Sequence, residues 1–273
     1  METLVDGDVG QLTRWSTERS CVVRAVVVGA SSGLGRCIGV GLGQRGAQVA
    51  LLARRRERLA AAAAEAGAGA LAIECDVTGT ASITSAIAKA AADLGGIDAL
   101  VYTPAIGPLA RLADTDADTW RRVFDTNVTG AAVVTAAAIP HLTRSGGTAV
   151  YLSSVSASLT PPWPGLGAYA VSKAALDKMV EAWRVEHPTV GFTRCTVGDC
   201  MGGEGDSMSA FPSASEWDWD LAGELHPVWQ ARGLLAGCFI DVEDLVNAVD
   251  GLLRSGQSLA TPSITLAPRP QGP

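Results

Sequence analysis

The sequence AYAVSK at positions 168–173 places a phenol and an amine four residues apart at the beginning of a predicted helix. That spacing puts Tyr169 and Lys173 on one face of the helix. A free phenol has a pKa of about 10, and a neighbouring ammonium favours its phenolate form. Such a phenol can donate a proton to a carbonyl oxygen and take it back. A Tyr-x3-Lys pair also occurs by chance on ordinary helices, so the rest of the chain must decide.

Three further polar side chains occur where the surrounding residues are mostly apolar. Ser153 and Ser154 end a predicted strand, and a hydroxyl at the carboxyl end of a parallel strand faces the crevice where ligands bind in such sheets. It can donate to a substrate oxygen as charge develops there. Asn127 lies in a predicted helix, and the alternative to a functional role is an amide hydrogen-bonded within the fold.

The sequence VVVGASSGLG puts Gly29, Gly33 and Gly35 between a predicted strand and a predicted helix. A helix N-terminus offers unpaired N–H groups and a positive dipole end. The pyrophosphate of a dinucleotide can reach them where no Cβ blocks the approach. The alternative is a tight turn with close packing of the helix.

Three arginines, Arg54, Arg55 and Arg56, follow the second predicted strand. An acid at this place suits the ribose 2′-hydroxyl of NAD, whereas arginine suits the 2′-phosphate of NADP. The sequence therefore predicts NADP over NAD, unless these arginines only face solvent. Asp76 ends the third strand and is either an acceptor for the adenine amino group or a turn residue.

The elements that must position these residues alternate along the chain. Short apolar runs predict strands at 24–29, 48–53, 70–76, 98–102, 147–154, 190–197 and 263–268, and amphipathic runs predict helices at 33–46, 54–67, 82–96, 118–142, 168–186 and 242–253. Apolar strands that are each followed by a helix predict a parallel, doubly wound α/β sheet. We expect an N-terminal extension at 1–22 and one domain at 23–273. The irregular, acidic stretch 199–238 is typical of a functional flap.

Composition limits the classes of function. Hydrophobic residues make up 48% of the 273 residues and charged residues 18%, which excludes a disordered chain. The net charge of −7 argues against a nucleic-acid partner. We find no metal-ligand spacing, no secretion signal and no run long enough to span a membrane. A soluble, cytoplasmic protein is therefore expected.

Five motifs in register, GASSGLG, CDV, DTNVTG, YLSSVSA and YAVSK, resemble the short-chain dehydrogenase/reductase family over about 24–200. The resemblance implies a Rossmann-like, seven-stranded parallel sheet in a three-layer α/β/α sandwich. It implies a catalytic tetrad in which Tyr169 is the acid–base and Ser154 polarises the carbonyl. Lys173 would lower the phenol pKa and bind the nicotinamide ribose, and Asn127 would hold a water in the proton relay.

The resemblance also implies a cofactor site and an assembly. The cofactor residues would be Gly29, Ser31, Ser32, Gly33, Leu34, Gly35, Arg54, Arg55, Asp76, Val77, Thr103, Pro104, Tyr169, Lys173 and Gly198. The chain departs from the family pattern at 102–105 and 197–198, where Asn-Asn-Ala-Gly and Pro-Gly are usual. The helices at 118–142 and 168–186 would form a homodimer or homotetramer interface.

Four tryptophans, Trp163, Trp217, Trp219 and Trp229, suggest an apolar or aromatic substrate pocket. The alternative is that they pack the flap on its own body or on a neighbouring subunit. The sequence thus predicts an NADPH-dependent oxidoreductase acting on a carbonyl or a secondary alcohol of a small molecule. The alternatives are a redox-silent, dinucleotide-binding relative and a lyase or isomerase using the same tyrosine.

Overall fold

The computed structural model describes residues 22–202, 217–255 and 257–269. Its elements in chain order are β1 (Arg24–Val28), α1 (Gly33–Gln44), β2 (Gln48–Ala53), α2 (Arg56–Ala66), β3 (Leu71–Glu74), α3 (Thr80–Leu94), β4 (Ala99–Tyr102), α4 (Ala117–Phe124), α5 (Gly130–Ser145), β5 (Thr148–Ser154), α6 (Gly167–Glu186), β6 (Gly191–Val197), β7 (Cys200–Met201), α7 (Trp219–Ala231), β8 (Ile240–Asp241), α8 (Val242–Leu253) and β9 (Ser263–Leu266). The predicted bounds agree to within three residues, with α4 and α5 taken together as the one predicted helix and with α7 and the two short strands left aside.

Seven of these strands form one parallel sheet in the order β3-β2-β1-β4-β5-β6-β9. The central strands are apolar on both faces, and Ala25, Val26, Val27 and Val28 are all fully buried. Both faces are covered, because α1, α2 and α8 pack on one and α3, α5 and α6 on the other. The predicted doubly wound, three-layer fold is confirmed.

The direction in which strands are added to the sheet reverses between β1 and β4. From β1, the strands β2 and β3 are added towards one edge of the sheet, and β4, β5, β6 and β9 towards the other. Helices that leave adjacent strands in opposite directions open a crevice at the carboxyl ends of those strands. The ends of β1, β2, β4, β5 and β6 all meet there. This is where the fold positions the predicted site residues.

The predicted helix at 118–142 is interrupted by a π-helical turn, Asp125–Thr129, between α4 and α5. The phenol of Tyr102 donates to the carbonyl of Thr126 in this turn. Contrary to the expectation of no such run, Ala117–Ser145 is long and apolar enough to cross a membrane, a criterion that core helices of soluble proteins also meet. Here α5 packs on α3 and on the sheet.

The stretch 199–238 is less irregular than predicted. Residues 203–216 lie outside the described residues, but Trp219–Ala231 forms helix α7, which begins at the N-cap Asp218. The Asp218 carboxylate accepts from two backbone N–H groups of the first turn. The prediction missed this helix because it contains glycine and Pro227, although Ala222, Leu225 and Trp229 lie on one buried face. Residues 1–21 of the predicted extension also lie outside the described residues.

Candidate active site

A cleft of about 380 Å³ opens at the carboxyl edge of the sheet, within the usual size range of small-molecule sites. All predicted cofactor residues line it: Gly29, Ser31, Ser32, Gly33, Leu34, Gly35, Arg54, Arg55, Asp76, Val77, Thr103, Pro104, Tyr169, Lys173 and Gly198. Of the predicted tetrad, Ser154, Tyr169 and Lys173 line the same cleft. The fold therefore gathers residues that are up to 169 positions apart in sequence (Gly29 to Gly198).

The turn from Gly29 to Gly35, between β1 and α1, is called the glycine turn here, and both close packing and its place in the cleft shape it. A Cβ at Gly35 would lie 2.2 Å from the Thr103 hydroxyl and 2.6 Å from the carbonyl of Gly29. The Thr103 hydroxyl is held there by donating to the carbonyl of Val28 at 2.6 Å. Close packing of the helix therefore explains why position 35 is a glycine. At Gly33 the backbone has a positive φ of 56°, a conformation that favours glycine.

The same turn retains the features that suit an anion. The N-cap of α1, Ser32, makes no side-chain hydrogen bond to the first-turn N–H groups. Those donors, which carry the positive end of the helix dipole, can therefore serve a phosphate at the cleft. The residues present fit the pyrophosphate of a dinucleotide.

Arg54 and Arg55 differ from Arg56 in their placement. The Arg55 guanidinium donates to the Ser31 hydroxyl from Nε at 3.2 Å and from Nη2 at 3.1 Å, and so lies against the glycine turn. Arg54 lines the cleft from the end of β2. Arg56 instead pairs with Glu74 of β3, away from the cleft lining. Two of the three arginines thus present positive charge to the cleft.

Asp76 makes a turn at the end of β3 and also lines the cleft. Its Oδ1 accepts from the backbone N–H of Thr78 at 3.0 Å and from the Thr78 hydroxyl at 2.8 Å. The backbone bond is the largest cause that lowers the pKa of Asp76, so the group is a carboxylate at neutral pH. The turn interpretation is observed, and the adenine contact stays a prediction.

Tyr169 and Lys173 project from the first two turns of α6 towards the end of β5. Ser154 lies close enough to the Tyr169 phenol to act on its pKa. The Lys173 Nζ lies 5.7 Å from the centroid of the Tyr169 ring and donates to the carbonyl of Leu152 at 2.7 Å. One strand end and one helical turn thus hold the phenol, the hydroxyl and the amine together.

Burial is the largest cause of the pKa shifts of Tyr169 and Lys173. It raises the pKa of Tyr169, and the Ser154 hydrogen bond only opposes that rise. The lowering of the phenol pKa by Lys173 stays a prediction, since burial is the largest cause that acts on this pKa and it acts in the opposite direction. Burial also lowers the pKa of Lys173 to about 8, against the opposing effect of Asp177. The phenol is consequently in its proton-donating form at neutral pH.

The two serines at the end of β5 face different groups, because adjacent strand residues point to opposite faces. The Ser154 hydroxyl lies 3.0 Å from the Ser156 hydroxyl and accepts from the Ser156 N–H at 3.3 Å. Ser153 is buried and its hydroxyl lies beside the Asp177 carboxylate. Ser154 is therefore the serine next to Tyr169.

Asn127 lies behind the cleft rather than in its lining. Its side chain is fully buried, donates to the carbonyl of Ile106 at 2.9 Å and to the Ser172 hydroxyl at 2.8 Å, and accepts from the Ile106 N–H at 2.8 Å. The alternative of an amide hydrogen-bonded within the fold is therefore observed. The water-holding role implied by the resemblance stays a prediction.

Among the four predicted tryptophans, Trp163 lines the cleft. Trp217 and Trp229 lie behind it, where their indole N–H groups donate at 2.9 Å to the carbonyls of Gly107 and Pro164. Trp219 is 66% exposed. The packing alternative thus describes Trp217 and Trp229, which bury the inner face of α7 against the body of the domain.

Several residues that the sequence analysis did not single out belong to the site. Asp199, Ile106 and Leu166 line the cleft, and Ser172 joins Asn127 to the backbone of Tyr169. Ser172 had a usable signal, since it lies three residues after Tyr169 on the same helix. Asp199 follows the end of β6, a position that faces the crevice in any such sheet.

Comparisons with known proteins agree with this geometry. The model of the short chain dehydrogenase family matches residues 23–200. A glycine betaine reductase of Emericella nidulans is 29% identical over 252 residues, which cover 90% of this chain and 18% of that protein. A short chain dehydrogenase of Pseudocercospora fijiensis is 36% identical over 168 residues, which cover 59% of this chain and 54% of that protein. The matches thus span about half, or less, of these relatives.

Two solved structures show the same fold. An alcohol dehydrogenase of Thermococcus sibiricus, complexed with 5-hydroxy-NADP, has a TM-score of 0.74 and 22% identity, over 91% of this chain and 98% of that one. A 3-ketoacyl-(acyl-carrier-protein) reductase of Brucella melitensis, complexed with NADH, has a TM-score of 0.73 and 21% identity, over 89% and 95%. From the family match, the sheet and the cleft together, this chain belongs to the short-chain dehydrogenase/reductase family of oxidoreductases.

Proposed function

We propose that this chain is an NADP(H)-dependent oxidoreductase that reduces a carbonyl, or oxidises a secondary alcohol, of an apolar or aromatic small molecule. The observation that carries the proposal is the meeting of Tyr169, Ser154 and Lys173 in one cleft with the glycine turn and two arginines. Family membership supports the oxidoreductase class. The relative from Emericella nidulans, whose match covers 90% of this chain, is named a reductase, and that name supports reduction of a carbonyl over oxidation of an alcohol.

The cofactor would lie along the carboxyl edge of the sheet. The glycine turn and the start of α1 would hold its pyrophosphate, and Arg54 and Arg55 would hold the 2′-phosphate. Asp76 and Val77 would flank the adenine, Thr103 and Pro104 the adenosine ribose, Lys173 the nicotinamide ribose, and Gly198 the nicotinamide. The solved relatives complexed with 5-hydroxy-NADP and with NADH support a nicotinamide dinucleotide, and the arginines favour the phosphorylated one. When bound, the reduced cofactor supplies a hydride.

The chain's own residues would handle the proton. Tyr169 holds its proton at neutral pH because burial raises its pKa, and it would donate that proton to the carbonyl oxygen as charge develops. Ser154 would donate a second hydrogen bond to the same oxygen. Lys173 would orient the ribose and stabilise the phenolate left behind. Asn127, which lies behind the cleft, would hold Ile106 and helix α6 in position through its hydrogen bonds.

We also propose that residues 23–273 form one domain whose segment 199–238 adjoins the substrate end. The homodimer or homotetramer and the cytoplasmic location stay predictions.

Cofactor titration tests the arginine assignment. NADPH and NADH binding are measured by nucleotide fluorescence for wild type, Arg54→Asp, Arg55→Ala and the control Arg56→Ala, which matches the charge change of Arg55→Ala outside the cleft lining. Wild type should favour NADPH by about tenfold or more, as a charge-assisted phosphate contact implies. The first two variants should lose that preference and the control should keep it. An unchanged preference in both variants would remove the 2′-phosphate site.

Turnover separates the remaining alternatives. Wild type with NADPH is assayed on a panel of ketones and aldehydes, beside Tyr169→Phe, which should lower the rate by about a thousandfold while dinucleotide binding persists. Tight dinucleotide binding without turnover of any panel member would favour the redox-silent relative. Product formation without net cofactor consumption would indicate a lyase or isomerase.

A further inference from the structure

Asp199 places a carboxylate at the catalytic end of the cleft. In the register of the sheet, Ser154 of β5 pairs with Val197 of β6, and Asp199 follows two residues later. Asp199 thus lies in the bend directly after β6, beside the end of β5, and it lines the cleft. It therefore lies on the side of the cleft where Ser154 and Tyr169 meet, beyond the end of β6.

The charge of Asp199 is not balanced by a cation in the described part of the chain. Its Oδ2 accepts from the backbone N–H of Ala236 at 3.2 Å, and none of the ion pairs among the described residues includes it. Burial raises the pKa of Asp199, as expected for a carboxylate that is partly desolvated without a paired charge.

An aromatic side chain, Trp163, lines the same cleft. Trp163 is buried apart from its contribution to the lining, and its ring centroid lies 5.4 Å from that of Trp229. Trp229 is itself anchored through its bond to the carbonyl of Pro164, next to Trp163. The indole face attracts cations, and quaternary ammonium groups are the ligands that use this attraction most.

The charges of the cleft are therefore separated along its length. Arg54 and Arg55 lie at the end of β2, on the far side of β1 from Ser154. The Lys173 ammonium is turned to the backbone of β5. Two acidic groups are among the described residues that line the cleft, and of these Asp76 follows β3 whereas Asp199 follows β6, next to β5. Trp163 lines the same cleft.

We propose that Asp199 and Trp163 select a substrate that carries a methylated ammonium group near its carbonyl or carbinol carbon. This inference rests on the proposed function and narrows its substrate class. A methylated ammonium has an apolar shell that suits the indole and a charge that balances the carboxylate. The side chains of Trp163, Leu166 and Ile106 in the cleft lining offer no hydrogen-bond acceptors. A fully methylated ammonium needs none, because it has no N–H to donate.

Binding of a charged ligand and of its uncharged carbon isostere tests the inference without turnover. Choline and neohexyl alcohol have the same shape and differ in charge, and each is titrated by calorimetry into the protein saturated with NADP. Wild type should bind choline about tenfold more tightly, a difference that a partly desolvated ion pair and one cation–π contact can supply. Equal binding of the two ligands by wild type would overturn the inference.

Variants locate the effect. Asp199→Asn should reduce the preference for choline to near parity, and its amide oxygen can still accept from Ala236, so that the fold is kept. The control Asp220→Asn removes an exposed carboxylate from α7 and should leave the preference intact. If both variants lower the preference equally, the effect is one of overall charge and the assignment to Asp199 is wrong. Trp163→Leu should weaken choline binding more than neohexyl alcohol binding, and an equal loss would remove the tryptophan from the proposal.

Turnover of the matching aldehydes separates this inference from the proposed function. For trimethylammonioacetaldehyde and tert-butylacetaldehyde, the ratio of kcat/KM between wild type and Asp199→Asn is taken for each compound, so that hydration of the aldehydes cancels. A loss confined to the charged aldehyde supports the inference. An equal effect on both aldehydes overturns the inference and leaves the reductase intact. Selective choline binding without reduction of any carbonyl overturns the proposed function and supports the ligand assignment.

Discussion

Asp177 lies one helical turn beyond Lys173 on α6, and its carboxylate opposes the loss of charge that burial imposes on that amine. Both side chains are buried, at 5% and 3% exposure. The Arg194 Nη1 approaches the Asp177 Oδ2 to 3.5 Å and Glu181 completes the cluster at its outer edge. The positive charge of the amine in the active site thus depends on a carboxylate outside the cleft lining.

The first prediction is that Asp177→Asn moves the alkaline loss of activity to lower pH. Burial already lowers the pKa of Lys173 to about 8, and Asp177 is the group that raises it. Without the carboxylate the amine loses its proton at a lower pH, so activity near pH 8 should fall several-fold while activity near pH 6 changes less. The measurement is kcat/KM against pH.

The matched control for this variant is Asp93→Asn, which breaks an exposed i,i+4 pair with Lys89 on α3. The control profile should coincide with that of wild type. The Tyr169 pKa is raised by burial, so its titration does not account for a fall near pH 8. Superimposable profiles for Asp177→Asn and wild type would show that the carboxylate does not tune the amine.

The second prediction distinguishes the two serines at the end of β5. Ser154→Ala should lower kcat by about a hundredfold, as the loss of a donor to a developing oxyanion does. Ser153→Ala should change kcat little, because that hydroxyl lies beside Asp177 instead of Tyr169. Steady-state kinetics with saturating NADPH measures both. A larger loss for Ser153→Ala would reverse the assignment.

The third prediction concerns the buried amide behind the site. Asn127→Ala removes the partners of the Ile106 N–H and carbonyl and of the Ser172 hydroxyl. Leaving buried polar groups unpaired should lower the free energy of unfolding by about 3 kcal/mol, measured by urea denaturation. The exposed Asn247, which bonds to Arg45, is the control, and its change to alanine should cost less than about 0.5 kcal/mol. Comparable losses at the two sites would contradict the burial argument.

The fourth prediction compares two glycines. In Gly35→Ala the new Cβ would meet Thr103 and the carbonyl of Gly29, so overpacking should destabilise the protein by about 1–3 kcal/mol and weaken dinucleotide binding. In Gly251→Ala the Cβ meets open space within α8, and the variant should be more stable by about 0.5–1 kcal/mol. Thermal denaturation and nucleotide titration check both. A neutral Gly35→Ala would mean that the turn can widen without loss.

Much of the fold was predictable because its signals are local. Apolar runs such as RAVVV and QVALLA are buried on both faces, and that pattern belongs to covered parallel strands. The alternation of strands and helices then places Gly29, Arg54 and Ser154 at one edge of the sheet, since parallel strands end on the same side. Helical spacing put Tyr169 and Lys173 on one face of a helix, and the other motifs of the chain were needed to make that pair a candidate site.

The remaining features depend on contacts between distant parts of the chain, which local patterns do not carry. Helix α7 forms in spite of its glycine and proline, because Leu225 and Trp229 on its buried face pack with Trp163, far away in the sequence. The direction of the Tyr169 pKa shift is likewise set by burial, which no local pattern of the sequence specifies.

The sequence by itself determined the parallel sheet and which polar groups reach the edge where the cleft opens, because alternating apolar runs and helical spacing are local properties of the chain. Only the tertiary structure decided how far each of those groups is removed from water. Desolvation is the largest cause of the pKa shifts of Tyr169, Lys173 and Asp199, and it depends on which distant segments cover them.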